Sequence, residues 1–148
     1  MLNHIINNDV EEIFNSNIDW FVFKDKTVVI TGSNGFLGSY LCRIFFEVNK
    51  KLRLNIQIIC LVRESSDIRN IDFLKDCNFS KIIKCDICNP KEIFLTKVDY
   101  IIHAASNASP IYYKSSPIET IDPNLLATKN LLEIAKKNSA TFLFVSSG

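Results

Sequence analysis

Thr31-Gly32-Ser33-Asn34-Gly35-Phe36-Leu37-Gly38 follows the short apolar run Thr27-Val28-Val29-Ile30 and opens an apolar-periodic segment from Phe36 to about Val48. Strand, glycine-rich turn and helix therefore come in the order a dinucleotide site requires. Gly32 can take the positive backbone dihedrals of a tight turn. Gly35 has no side chain to hold the backbone away from a pyrophosphate, and Gly38 lets the helix pack close to the strand. The N–H groups and positive dipole end of that helix then face the phosphates, which makes Ser33, Asn34, Phe36 and Leu37 part of the same candidate cofactor site. A plain strand-to-helix turn can carry the same glycines, so the order of elements around them is what gives the pattern meaning.

The spacing is T-G-x-x-G-x-x-G, one residue longer between the first two glycines than G-x-G-x-x-G. This variant resembles the short-chain dehydrogenase/reductase superfamily, and the remaining chain has to say which branch.

Composition narrows the field first. A chain of 148 residues is long enough to bury a real core. Its 17 basic and 16 acidic residues are well mixed, which argues against nucleic acid as a partner and against a charged tail. The longest apolar runs, such as Ile56 to Val62, are too short to span a bilayer. Met1 to Val10 carries Asn and Asp where a signal peptide needs an apolar core. The expectation is a soluble cytoplasmic protein. Five cysteines (Cys42, Cys60, Cys77, Cys85 and Cys88) without a secretion signal read as reduced thiols. Cys85-Asp86-Ile87-Cys88 has C-x-x-C spacing but no second ligand pair, so small core residues are expected rather than a metal site.

Residues 1–25 read as an N-terminal helical and aromatic extension, with Val10, Ile13 and Phe14 on one face followed by Trp20, Phe21 and Phe23. Residues 26–148 read as an NAD(P)-binding domain. Ile56 to Val62 is an expected buried parallel strand, nearly continuous in apolar residues. Asp67 to Asp76 suits a short helix or loop, Lys81 to Cys85 a third strand, Asn89-Pro90 the start of a helical turn, and Val98 to His103 a fourth strand. Pro117 to Lys137 has helical periodicity, with Asp122 as candidate cap and Pro123 in the first turn of the main helix. Phe142 to Val145 is a fifth strand, after which the chain stops at Ser146-Ser147-Gly148. Alternating strands and helices predict an α/β fold, a Rossmann-like doubly wound parallel sheet cut short after its fifth strand.

Ligands of open parallel sheets sit beyond the carboxyl ends of the strands. At the end of the second strand an NAD site usually places a carboxylate on the ribose; here Val62-Arg63-Glu64 stands there. Arg63 can pair with the 2′-phosphate of NADP, while Glu64 could reach a ribose, so the cofactor is NAD or NADP with a lean to NADP. Asp86 and Ile87 follow the third strand, where Asp86 could accept from the adenine amino group. Ala104 and Ala105 end the fourth strand and leave room for the cofactor. His103 suits a packed, hydrogen-bonded role more than acid–base work.

Taken in order, Thr31 to Gly38, Asp86-Ile87, His103-Ala104-Ala105 and Asn124-Leu-Leu-Ala-Thr128-Lys-Asn130-Leu-Leu-Glu resemble the extended short-chain dehydrogenases, the NAD-dependent epimerase/dehydratase family acting on nucleotide sugars. Ala108-Ser109-Pro110, Tyr113 and Pro117 are similar to its UDP-glucuronate decarboxylase and dTDP-glucose 4,6-dehydratase side. The likeness covers about Lys24 to Gly148 and implies a nucleotide-sugar substrate, NAD as the family's usual cofactor against the NADP lean of Arg63, oxidation at C4 of the sugar and, for a full-length protein, a homodimer. It implies that Ser147 hydrogen-bonds the reacting hydroxyl and that Asn124, at the cofactor site, is the family's helix asparagine, structural support first and proton-relay member second. It also implies a Tyr general base in a Y-x-x-x-K motif, which these residues lack: Tyr112 and Tyr113 are followed four positions on by Ser116 and Pro117, and Tyr40 by Ile44. The substrate domain is missing as well, so turnover is not expected from this stretch alone. Two alternatives stay open. One is an NADPH-dependent thioester or fatty-acyl reductase, which Cys60-Leu61-Val62-Arg63 resembles. The other is a non-catalytic NAD(P)-binding module.

Overall fold

The computed structural model describes residues 2–89, 95–106 and 115–146. Among them five strands form one all-parallel sheet in the spatial order β3-β2-β1-β4-β5: β1 Thr27–Thr31, β2 Gln57–Val62, β3 Ser80–Lys84, β4 Tyr100–His103 and β5 Thr141–Phe144. The helices are α1 Leu2–Phe14, α2 Phe36–Leu52, α3 Pro117–Asp122 and α4 Thr128–Asn138.

Why the sheet is covered on both faces can be read from β1, in which every residue is buried. Its side chains alternate. Val28 and Ile30 join the core beneath α1 and α2, together with Ile58, Cys60 and Val62 of β2 and Ile102 of β4. Val29 faces the other way, into a second core with Leu61, Ile101 and the α4 residues Leu131 and Ala135. A strand with two buried faces cannot alternate apolar with polar, which is why Thr27 to Ile30 and Ile56 to Val62 are apolar runs. The switch from the β2 side to the β4 side falls at β1, so the carboxyl ends of β1 and β4 flank the crevice where such sheets take ligands.

Residues before the sheet belong to its packing. Val10 and Trp20 lie in the core under α2, with Phe23 edge-on to Phe45 at 5.1 Å between ring centroids. Trp20 Nε1 donates to the Phe14 carbonyl at 3.2 Å, tying the aromatic turn Trp20–Phe23 to the end of α1. At the opposite end of the sheet from the crevice, buried Asn49 of α2 makes two backbone bonds to Ile56: Nδ2 donates to its carbonyl at 3.0 Å and Oδ1 accepts from its N–H at 2.9 Å. The amide thus continues the ladder where β2 has not yet begun.

One expectation fails. Asp122 does not cap the main helix; its φ of −56° and ψ of −46° are helical, and it makes no capping bond. The helix starts at Pro117 and passes Pro123 through a π-helical turn, Pro123–Ala127. Proline has no N–H to donate and its ring pushes against the preceding turn. The wider turn absorbs both effects, and Asn124 Nδ2 reaches back to the Thr120 carbonyl at 2.7 Å. Elsewhere the strands begin or end within two residues of expectation, and α1 starts well before Val10.

Candidate functional site

The crevice at the carboxyl ends of β1, β2, β3 and β4 holds a cleft of about 190 Å3. Its wall is built from the glycine turn (Gly32, Asn34, Gly35), the end of β2 (Leu61, Val62, Arg63, Ser66), the end of β3 (Cys85 to Cys88), the end of β4 (Ala104 to Ser106) and Pro123. Four loops separated widely in sequence converge here because all four strands point the same way.

The turn is shaped by two close backbone approaches. Gly32 has φ of +64°, and a Cβ on it would lie 2.7 Å from the Ala104 carbonyl oxygen and 2.8 Å from the Ala105 Cα. Both its conformation and its neighbours exclude a side chain. Gly38, one turn into α2, faces that same bend: a Cβ there would sit 2.8 Å from the Gly32 carbonyl carbon and 2.9 Å from the Ser33 Cα. The partner of Gly38 is thus the turn itself rather than the strand. Gly35 N–H donates to the Gly32 carbonyl at 2.9 Å and Gly35 starts α2 without any side-chain cap. The N–H groups of the first turn have no carbonyl of their own helix to bond. A backbone cradle that only glycine can form, opening at a helix N-terminus into a cleft, fits the pyrophosphate of a dinucleotide.

The other expected residues divide by position. Arg63, Asp86, Ile87, Ala104 and Ala105 all line the cleft with Gly32, Asn34 and Gly35. Arg63 is exposed at its rim. Asp86 Oδ1 accepts from the Cys88 N–H at 2.9 Å, which turns the carboxylate back over its own loop. Ser33 is fully buried and its hydroxyl donates to the Ile30 carbonyl at 2.6 Å, so its side chain braces the turn from below. Phe36 and Leu37 point outward, at 81% and 45% exposure, and neither lines the cleft. Asn124 is not in the cleft wall; its Nδ2 donates to Thr120 O and, at 3.1 Å, to Ser106 Oγ, which is. Ser147, Ala108 to Pro110 and Tyr112 and Tyr113 lie outside the described residues.

His103 is fully buried at the end of β4 with both ring nitrogens bonded. Nε2 lies 2.9 Å from the Pro123 carbonyl, which can only accept, so Nε2 carries the proton. Nδ1 then accepts from Thr31 Oγ1 at 2.7 Å, and Thr31 Oγ1 accepts from the Ala105 N–H at 3.2 Å. This directed chain fixes the small-residue floor of the cleft. Burial lowers the His103 pKa, partly offset by the Pro123 bond, and keeps the ring neutral.

Spacing alone does not reveal Ser66, Cys85, Cys88, Ser106 and Pro123 as part of the wall. Four of them lie at or just beyond strand ends, which is the signal that would have found them; Pro123 reaches the cleft through the π turn, which has no such signal. Burial, then the adjacent Asp86 carboxylate, pushes the Cys88 thiol up to about 11, so it stays protonated at neutral pH. All five cysteines are free, with Cys42, Cys60 and Cys85 buried. Among the described residues no helix is long and apolar enough to cross a membrane.

Fold and cleft together define a doubly wound α/β domain of the dinucleotide-binding type. Residues 28–148 match the family described as NAD dependent epimerase/dehydratase family, and the chain belongs to that family. UDP-glucuronic acid decarboxylase 1 of Arabidopsis thaliana is 33% identical over 125 residues, covering 84% of this chain and 27% of the relative. An epimerase from Methanothermobacter thermautotrophicus superposes with a TM-score of 0.68 at 25% identity, over 86% of this chain and 37% of that one. A dTDP-glucose 4,6-dehydratase from Bacillus anthracis str. Ames, solved in complex with NAD, shares the fold at 22% identity and a TM-score of 0.59, over 82% of this chain and 37% of that one. The chain spans from 26% to 35% of the length of the curated relatives it matches.

Proposed function

We propose that this chain binds a nicotinamide dinucleotide for an enzyme that modifies a nucleotide sugar, of the UDP-glucuronate decarboxylase, epimerase or 4,6-dehydratase kind. The carrying observation is the glycine cradle: Gly32 held against Ala104 and Ala105, with Gly38 beneath it, at the mouth of the cleft. A side chain at either position would overlap that backbone and force the bend open, and it is this bend that leaves the backbone of Gly32, Asn34 and Gly35 on the cleft wall.

In this reading the pyrophosphate lies over Gly32, Asn34 and Gly35 and receives N–H donors from the start of α2. Asp86 and Ile87 flank the adenine, Arg63 meets the adenosine ribose, and Ala104 and Ala105 leave room for the rest of the dinucleotide. Arg63 favours NADP over NAD, because a guanidinium can grip a 2′-phosphate in bidentate fashion and gains less from a bare hydroxyl. The cofactor supplies hydride acceptance from C4 of the sugar. This chain's own part is to bind, orient and keep the floor rigid through His103 and Thr31, and Ser147 stands as the proposed partner of the reacting hydroxyl. The general base of a Y-x-x-x-K motif is not among these residues, so proton abstraction is not assigned to any of them.

Isothermal titration of the folded chain with NADP and with NAD tests the reading. Saturable binding of either, lost in Gly38→Ala with the circular dichroism spectrum retained, is the expected result. No binding of either dinucleotide to the wild-type chain would overturn it.

A further inference from the structure

The loop that carries Arg63 is fastened to the glycine turn by two asparagines from opposite sides. Asn34, in the turn, donates from Nδ2 to the Asp67 carbonyl at 3.3 Å. Asn70, in the 3₁₀ helix Arg69–Leu74, donates from Nδ2 to the Asn34 carbonyl at 2.9 Å. The loop between is itself closed at each end. Ser66 N–H donates to the Arg63 carbonyl at 2.9 Å, and the Asp67 carboxylate takes the Arg69 N–H at 3.0 Å and its Nε at 2.6 Å. Beyond Asn70, Ile71 and Leu74 are buried in the core under α2, so the segment has a fixed base. The pair spans 36 residues of sequence and joins the two loops that form one wall of the cleft.

We propose that Asn70 is a positioning residue for cofactor choice: by holding the Asn34 carbonyl it sets the height of the 63–67 loop over the cleft, and with it where the Arg63 guanidinium meets the adenosine ribose. This rests on the reading that the cleft holds a dinucleotide with Arg63 at its ribose. Asn70 does not line the cleft, so its influence runs through the loop. A guanidinium on an exposed, four-bond side chain discriminates a 2′-phosphate only if its base is held still, because the entropy of fixing it is otherwise lost at binding. The second bond, from Asn34 to Asp67, makes the connection two-point and resists hinging about either one.

Four variants and three readouts test this. Dissociation constants for NADP and NAD are measured by titration calorimetry for wild type, Asn70→Ala, Arg63→Ala and the double variant. Asn70→Ala is expected to lower the NADP-over-NAD preference by about fivefold or more, and to have almost no further effect on that ratio once Arg63 is alanine. Asn70→Gln, which keeps the donor, should recover part of the preference. Hydrogen exchange of the unliganded chain should show faster exchange of amides 64–69 in Asn70→Ala, independent of any ligand. A variant that loses thermal stability but keeps the wild-type preference would make Asn70 merely structural and overturn the proposal. Unchanged exchange in 64–69 would overturn the clasp itself. If the wild-type chain bound neither dinucleotide but the exchange response appeared, the clasp would stand and the reading of the cleft beneath it would fall, taking the role in cofactor choice with it.

Discussion

Thr31 Oγ1 and His103 Nδ1 lie 2.7 Å apart at the adjacent ends of β1 and β4, fully buried, and the bond between them has a fixed direction because the Pro123 carbonyl claims the proton on Nε2. Protonating His103 would put a hydrogen on Nδ1, so that the Thr31 hydroxyl, which already takes the Ala105 N–H, loses the acceptor for its own proton. The histidine is therefore part of the scaffold that shapes the cleft, and its charge state matters to stability. Its folded pKa lies below the ordinary 6.5, chiefly through burial. The unfolded chain thus binds the proton more readily, and stability rises with pH across the interval between the two values. The contribution of His103 is fully present above about pH 6.5 and is lost as pH falls from there through the lower folded value. Urea unfolding at steps from about pH 7.5 to 5 should show this loss, and His103→Gln should flatten it. Identical slopes in the two proteins would assign the acid sensitivity to other groups.

Gly38→Ala places a methyl against the bend at Gly32 and Ser33, with no flexible side chain to yield. Gly32→Ala adds a positive φ, worth about 1–2 kcal/mol on its own, to contact with the Ala104 and Ala105 backbone. Both variants should melt several degrees lower and lose dinucleotide binding by about a hundredfold, since the cradle must open to admit the methyl. Gly35→Ala meets only the Gly32 carbonyl oxygen, at 3.1 Å, and should keep more of the stability, while its methyl on the cleft wall still weakens dinucleotide binding. Binding by Gly38→Ala at wild-type strength would remove the cradle from the site.

These two networks differ in how far the sequence announces them. The glycine spacing and the apolar runs at Thr27 to Ile30 and Ile56 to Val62 are dictated by backbone sterics and by burial on two faces, which leave a local pattern. His103 announces its packed role because it ends an apolar strand, but not its partners: Thr31 is 72 residues away and Pro123 is brought near by a π turn. Proline after an aspartate reads locally as a capped start; the helix runs on through helical dihedrals at Asp122 and Pro123, with Ala127 and Leu131 anchored in the core. Ser33, Phe36 and Leu37 occupy motif positions, yet their side chains serve the turn and the surface. A motif reports where the backbone goes and is silent about which side chains face the ligand.

Arg63 and Asp86 both line the cleft, after the neighbouring strands β2 and β3, and should divide the adenosine end of the dinucleotide between them. Arg63→Ala removes a charge that only NADP can use and is expected to weaken NADP binding by about tenfold while leaving NAD within about twofold. Asp86→Ala should weaken both cofactors alike, because the adenine is common to them. Calorimetric titration of each variant with each cofactor separates the effects. Equal loss of NAD and NADP in Arg63→Ala would move Arg63 away from the 2′ position.

Asn49 offers a control at the other end of the molecule. Its amide satisfies both backbone groups of Ile56 in a site sealed by α2 and β2, where no water replaces it. Asn49→Ala strands a buried N–H and a buried carbonyl, each costing about 1–3 kcal/mol, so an overall loss of about 2–4 kcal/mol is expected. Asn49→Asp keeps the acceptor but turns a carboxylate toward the Ile56 carbonyl and should be no better at neutral pH. Because Asn49 lies at the amino end of β2, cofactor affinity measured well below the melting temperature should change by less than about twofold. Denaturant unfolding and dinucleotide titration on the same preparation would check both halves. A large loss of affinity without loss of stability would mean that the two ends of the sheet are coupled in a way that these contacts do not explain.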